Sequence, residues 1–200
     1  MQFGDPTKLH YAKQLAAALG FIGLCRADRV RIEPLSDSKR QSPILRGRRN
    51  LWRMLDHLQT IQPGENIALA DGVKNFCLRN SGKGIVVLIS DLMDKNGYEA
   101  AFRYLVAQEM DVYVVHLLSP EETKPDVAGD LRLIDCEDSD VTEISVSRPL
   151  LAKYERTLAA FVEEAREFCV RRGMGYVLAN TEMPIEQMVS VYLRQWGLVR

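Results

Sequence analysis

The residues best placed for chemistry are Ser90-Asp91-Leu92-Met93-Asp94. They put a hydroxyl and two carboxylates directly after the apolar run Gly84-Ile85-Val86-Val87-Leu88-Ile89. Hard oxygen donors of this kind suit Mg²⁺. At the carboxyl end of a strand in an open α/β sheet, they stand where ligands bind. The same residue types also make turns and cap the helix that follows, so the spacing leaves both readings open. A second set is basic: Lys39, Arg40, Arg46, Arg48, Arg49 and Arg53. It could hold phosphate, RNA or an acidic protein surface, or be the solvated face of a loop and helix. Trp52 lies among these residues and offers a stacking surface, but its size and apolarity predict a place in the core.

Other candidates lack their partners. The acidic stretch Asp135, Glu137, Asp138 and Asp140 has neither the glycine nor the terminal glutamate of a calcium loop, and reads as a solvated hairpin tip. His10, His57 and His116 are widely separated, and G-x-S-x-G is absent. Gly82-Lys83-Gly84 precedes a strand, whereas a phosphate loop follows one. Nothing assembles an acid–base pair or an activated nucleophile. Cys25, Cys77, Cys136 and Cys169 form no C-x-x-C pair, which points to ordinary thiols in a reducing, cytoplasmic setting.

Composition narrows the class. The 200 residues carry 26 Lys+Arg against 27 Asp+Glu, a net charge of −1, which argues against wholesale coating of nucleic acid. An apolar share of 46% is that of a globular domain, not of a disordered or fibrous chain. The longest wholly apolar run, Ile85 to Ile89, falls far short of the ~20 residues of a membrane helix. Met1 to Pro6 has neither the basic nor the apolar region of a secretory signal.

The elements that must position these residues alternate. Leu9, Ala12, Leu15, Ala16, Leu19 and Ile22 recur at helical spacing over Thr7 to Cys25. Asp28 to Leu35 alternates polar and apolar and reads as a strand, whose end Pro34 takes out of the ladder. Arg46 to Leu58 and Asn66 to Leu78 read as helices. The run from Gly84 to Ile89 reads as a parallel strand buried on both faces. A helix from Gly97 to Met110 and a strand from Asp111 to Leu118 follow, giving the β–α–β order of a doubly wound α/β sheet. Beyond Pro120 the pattern predicts a β-hairpin over 130–146. A long helix opened by Ser147 and Pro149, a strand from Gly175 to Ala179 and a last helix from Pro184 to Gln195 complete the reading. No linker or repeat divides residues 1–200, which predicts a single domain.

Five segments together resemble a known family: KLHYAKQLAAALGFIGLCRADRV (Lys8 to Val30), Arg46-Gly47-Arg48-Arg49, IVVLISDLMD, HLLSPEETKPDVAGDLRLIDCED, and the stretch around Tyr176 to Arg194. They resemble the bacterial domain-of-unknown-function 58 family (DUF58), which is von Willebrand factor A-like. The resemblance implies a mostly parallel, Rossmann-like sheet flanked by helices. It also implies the metal-ion-dependent adhesion site of that class: Asp-x-Ser-x-Ser on the central strand, a Thr before a helix, and the Asp that corresponds to Asp91. Here the Asp-x-Ser-x-Ser strand, which in the family comes just before the residues matching Met1 to Gly4, is absent, and Ile67 or Asn66 stands at the Thr position. Asp91 alone would then hold Mg²⁺ weakly, in a degenerate site. The absent strand would sit between residues 28–35 and 84–90, and its loss would leave two facing edges, open or re-paired. This predicts an N-terminally truncated domain.

The function implied by the resemblance is a non-catalytic protein-interaction module partnering a MoxR-type AAA+ ATPase in a chaperone or assembly system. Its contacts would be Ser90, Asp91 and Asp94 at the strand edge, with Arg46, Arg48 and Arg49 as further candidates. The alternative is a Mg²⁺-dependent phosphoryl-transfer or hydrolase domain using the same acidic edge.

Overall fold

The computed structural model describes residues 6–35, 42–63, 67–80, 82–127, 129–134 and 141–194. The chain opens with helix α1 (Lys8–Cys25), started by the Thr7 hydroxyl, which accepts from the His10 N–H. Strands β1 (Arg29–Val30) and β2 (Leu45–Arg46) pair antiparallel and lead through a 3-10 turn (Arg48–Asn50) into α2 (Leu51–Thr60). Helix α3 (Leu69–Arg79), strand β3 (Gly84–Ser90), helix α4 (Glu99–Val106) and strand β4 (Met110–Leu118) follow. A short helix α5 (Pro120–Thr123) precedes the hairpin β5 (Gly129–Ile134) and β6 (Val141–Val146). The long helix α6 (Arg148–Val170), strand β7 (Gly175–Asn180) and helix α7 (Ile185–Gln187) complete the fold, with a π-turn over Met188–Leu193.

The main sheet is parallel in the order β3-β4-β7, with Leu88 opposite Val114 and Val115 opposite Val177. Period-2 alternation sends successive side chains to opposite faces, and both faces are covered. Leu88, Val112, Val114 and Tyr176 pack with Val73 of α3, Phe102 of α4 and Ala165 of α6. Val115, Leu117, Val177 and Ala179 pack with Tyr11 and Leu15 of α1 and with Met188. A third cluster, Leu24, Leu45, Met54 and Leu58, joins the far end of α1 to α2. Helices on both sides of a parallel sheet are the α/β arrangement that the β–α–β order predicts. Among the described residues no helix is long and apolar enough to cross a membrane.

Several elements depart from expectation. The strand expected over 28–35 shrinks to Arg29–Val30, paired with β2 and not with β3. Pro34 offers no N–H to a ladder, and the side chains around it are tied elsewhere. Arg79 meets Glu33 at 3.2 Å and Arg31 donates to Asn80 at 2.5 Å. β3 is not buried on both faces. It is an edge strand, with Ile85 58% exposed and, among the described residues, β4 as its only neighbour. The fully enclosed strand is β4. Trp52, expected in the core, is 74% exposed, because Met54 and Leu58 are the residues that α2 turns inward. Ser147 stands at the N-cap of α6 without a side-chain capping bond. The last helix gives way to the π-turn after Gln187. The acidic hairpin tip, Lys39, Arg40, Asn66, Cys136 and Gln195 lie outside the described residues.

Candidate functional site

Strands β3 and β4 deliver their last residues to one rim of the sheet, with Ser90 opposite His116. The two chain segments that leave this rim are both held by side-chain capping. After β3, the Ser90 hydroxyl accepts from the Leu92 N–H at 3.1 Å. Leu92 is held at φ +57° and is only 1% exposed. A leucine in the left-handed region is strained by about 1–3 kcal/mol and persists only where packing fixes it. The bend lifts Met93 out to 40% exposure. After β4, Ser119 and Glu122 form a reciprocal capping box on α5, with the Glu122 carboxylate accepting from the Ser119 N–H at 2.8 Å.

Lys8, the first residue of α1, closes the rim. Its ammonium is almost fully buried and donates to Asp91 Oδ2 at 2.7 Å and to Glu122 Oε1 at 2.5 Å. Burial opposes the charge on Lys8, but Asp91 and Glu122 outweigh it and raise the pKa above 10.5. Burial likewise opposes the charge on Asp91, and the Lys8 ammonium wins, holding its carboxyl below the usual range. Asp91 Oδ1 accepts from the Met93 N–H at 3.4 Å. The Tyr154 hydroxyl of α6 donates to the Glu122 carbonyl at 2.8 Å, tying that helix to the same corner.

Beneath the triad lies His116, with no exposed surface. Its Nδ1 shares a hydrogen bond with the Tyr176 hydroxyl at 2.6 Å, and Phe161 stands edge-on at 5.7 Å between ring centres. Burial lowers its pKa to about 4, against the raising influence of Asp91 and Glu122, so the ring is neutral at physiological pH. Its Nε2 has no hydrogen-bond partner among the described residues.

Asp94 works differently from Asp91. Its Oδ2 accepts from the Leu69 N–H at 2.6 Å and its Oδ1 from the Asn96 N–H at 2.7 Å. It therefore forms a turn and caps the start of α3, the preceding helix, rather than the one that follows it. The rim brings Ser90, Asp91 and Asp94 together. Arg46, Arg48 and Arg49 lie apart from it, beyond the far end of α1, whose 18 residues span about 27 Å. The sequence reading assigns no role to Lys8, Glu122 or Tyr176, and takes His116 as a histidine without partners. Two signals stood there unread: the capping-box spacing Ser119-x-x-Glu122, and a lysine in line with the apolar stripe of α1.

A Mg²⁺ ion does not fit these residues. An ammonium already sits 2.7 Å from Asp91, Ile67 offers no side-chain oxygen, and no group of three His, Cys, Asp or Glu could hold a metal among the described residues. The rim is instead compensated in part from within, one buried cation bridging two carboxylates.

Comparison with known proteins bears on the fold. The family described as Protein of unknown function DUF58 matches residues 1–166. No curated protein matches the chain. The crystal structure of the conserved hypothetical protein BatB from Bacteroides thetaiotaomicron is similar at TM-score 0.55 and 14% identity, over 98% of this chain and 91% of that one. An aerotolerance-related membrane protein from Bacteroides fragilis is similar at TM-score 0.52 and 14% identity, over 87% of this chain and 82% of that one. At such identity the likeness concerns the fold.

Proposed function

The chain belongs to the DUF58 family, and from that premise we propose that it is a non-catalytic protein-interaction module whose contact surface is the carboxyl rim of the sheet. One observation carries this reading: the carboxylates and the histidine of the rim are engaged within the fold. Lys8, Asp91 and Glu122 form a closed triad, Asp94 is committed to two backbone N–H groups, and His116 is buried and neutral. General acid–base or nucleophilic catalysis needs a group that is free to take up or release a proton within reach of substrate. The rim instead presents a fixed surface, with Met93, Lys95 and Asn96 outward on a strained bend. Rigid scaffolds that carry exposed loops are a common basis of recognition.

The partner proposed is a MoxR-type AAA+ ATPase, in a cytoplasmic assembly or chaperone system, as the family resemblance implies. Calorimetric titration of a purified ATPase of that type into the chain tests it. Binding at micromolar concentration is expected, weakened about tenfold by Met93→Glu at unchanged melting temperature. A titration without heat at about 100 μM removes the partner from the reading. Turnover of any substrate that disappears in Asp91→Asn removes the non-catalytic premise.

A further inference from the structure

At the end of α1 away from the rim, the surface changes character. Arg29 of β1 and Arg46 of β2 stand directly opposite each other as paired residues. Like charges in that position destabilise a strand pair. Arg48 and Arg49 come next in the 3-10 turn, then Arg53 in the first turn of α2, which holds no acidic residue. Cations at that end of a helix also oppose its dipole. All five are exposed, and none meets a carboxylate among the described residues. Two are held in place by their own Nε: Arg46 donates to the Ala27 carbonyl at 2.7 Å and Arg48 to Cys25 Sγ at 3.3 Å. Among them stand two large apolar side chains out of the core, Trp52 at 74% and Ile44 at 56% exposure. Among the described residues of these segments, the acids beside the arginines are Asp28, placed against Arg26, and Asp56.

The fold tolerates this like-charge concentration although, among the described residues, no carboxylate pairs with these five guanidinium groups. We propose that this arginine–tryptophan face is a docking surface for an acidic protein segment, with carboxylates engaging the guanidinium groups and an apolar side chain seated on Trp52. Three features select that occupant. Every cation between residues 26–35 and 42–60 is an arginine, whose planar fork matches a carboxylate bidentately. Tryptophan and arginine are the residues that dominate the binding energy of protein interfaces. A net charge of −1, and Trp52 as the one aromatic residue of the face-forming segments 26–35 and 42–60, do not provide the basic excess and stacking run of a single-strand nucleic-acid binder. Two apolar side chains are likewise too little buried area to seat the chain in a bilayer.

The test uses the whole chain and a synthetic amphipathic peptide of glutamates and leucines as probe, followed by fluorescence anisotropy. Three parallel titrations use a peptide in which glutamine replaces glutamate, a single-stranded oligoribonucleotide, and vesicles of phosphatidylserine with phosphatidylcholine. The acidic peptide is expected to bind tightest. Trp52→Ala should weaken it about 30-fold and Arg49→Glu at least about tenfold, at unchanged melting temperature because both side chains are exposed. Met93→Glu should leave this binding intact, since it alters only the rim, so the two surfaces fail or hold separately. Tighter binding of RNA or vesicles overturns the proposal. So does equal binding of the glutamine peptide, or an affinity that neither Trp52→Ala nor Arg49→Glu changes.

Discussion

Replacing Lys8 with methionine removes the buried cation of the rim and keeps a side chain of similar length. Asp91 and Glu122 would then face each other without compensation, at side-chain exposures of 22% and 16%. Removing one partner of a buried ion pair costs about 3–5 kcal/mol. Because both carboxylates keep some contact with water, the lower end applies, about 3 kcal/mol. With a urea dependence of about 2 kcal/mol/M, the unfolding midpoint falls by about 1.5 M at pH 7. The sign of the pH dependence follows from the two shifted groups. The raised pKa of Lys8 gives stability that is present at neutral pH and lost as pH rises through a value above 10.5. The lowered pKa of Asp91 gives stability that is present above 3.8 and lost as pH falls through its folded value. Neither therefore titrates between pH 5 and 9 in the parent chain. In Lys8→Met, burial of Asp91 loses its main opponent and pushes the pKa up. The folded variant then takes up protons on acidification, and the deficit narrows towards pH 5. The triple variant Lys8→Met/Asp91→Asn/Glu122→Gln should recover most of the loss, since neutral groups of the same shape leave no charge stranded. A deficit below about 1 kcal/mol at pH 7, or one that stays constant to pH 5, would refute the account of the rim as a triad held by one buried cation.

Three further outcomes are expected. His116 has its pKa depressed to about 4 from 6.5, so the unfolded chain binds the extra proton between those values. Stability should fall by about 3 kcal/mol as pH drops across that window, and His116→Phe should flatten the slope; an NMR titration midpoint above 6 for this ring contradicts the burial argument. Millimolar Mg²⁺ should leave the melting temperature unchanged, because a ligand stabilises only what it binds; a rise of several degrees would place a metal at the rim after all. Ile85→Lys puts a charge on the outer strand β3, where 58% of the residue is exposed. It should lower self-association in sedimentation velocity without loss of stability.

Long-period features were legible in the sequence and short-range cooperation was not. The α/β order followed from apolar runs alternating with helical stripes, and α1, β3, β4 and the hairpin fall where that pattern puts them. The failures have physical causes. Residues 28–35 alternate correctly, but Pro34 has no N–H for a ladder and Arg31 and Glu33 are tied to Asn80 and Arg79, so the ladder ends at Val30. Trp52 is apolar in type, yet the phase of α2 is set by Met54 and Leu58, which leaves it outside. At the site, Asp91 was visible as a strand-end carboxylate, whereas its cation comes from Lys8 and the second carboxylate from Glu122. Neither neighbours it in sequence, and only the packing of α1 and α5 at one rim brings them to it.

The outer edge of β3 leaves a row of main-chain donors and acceptors without strand partners among the described residues. Any extended segment that joins this row adds to the native state and not to the unfolded one. Total protein concentration then becomes a thermodynamic variable, and melting temperatures measured at different dilutions describe different equilibria. Handling conditions, as much as sequence, would set how durable the molecule looks in the tube.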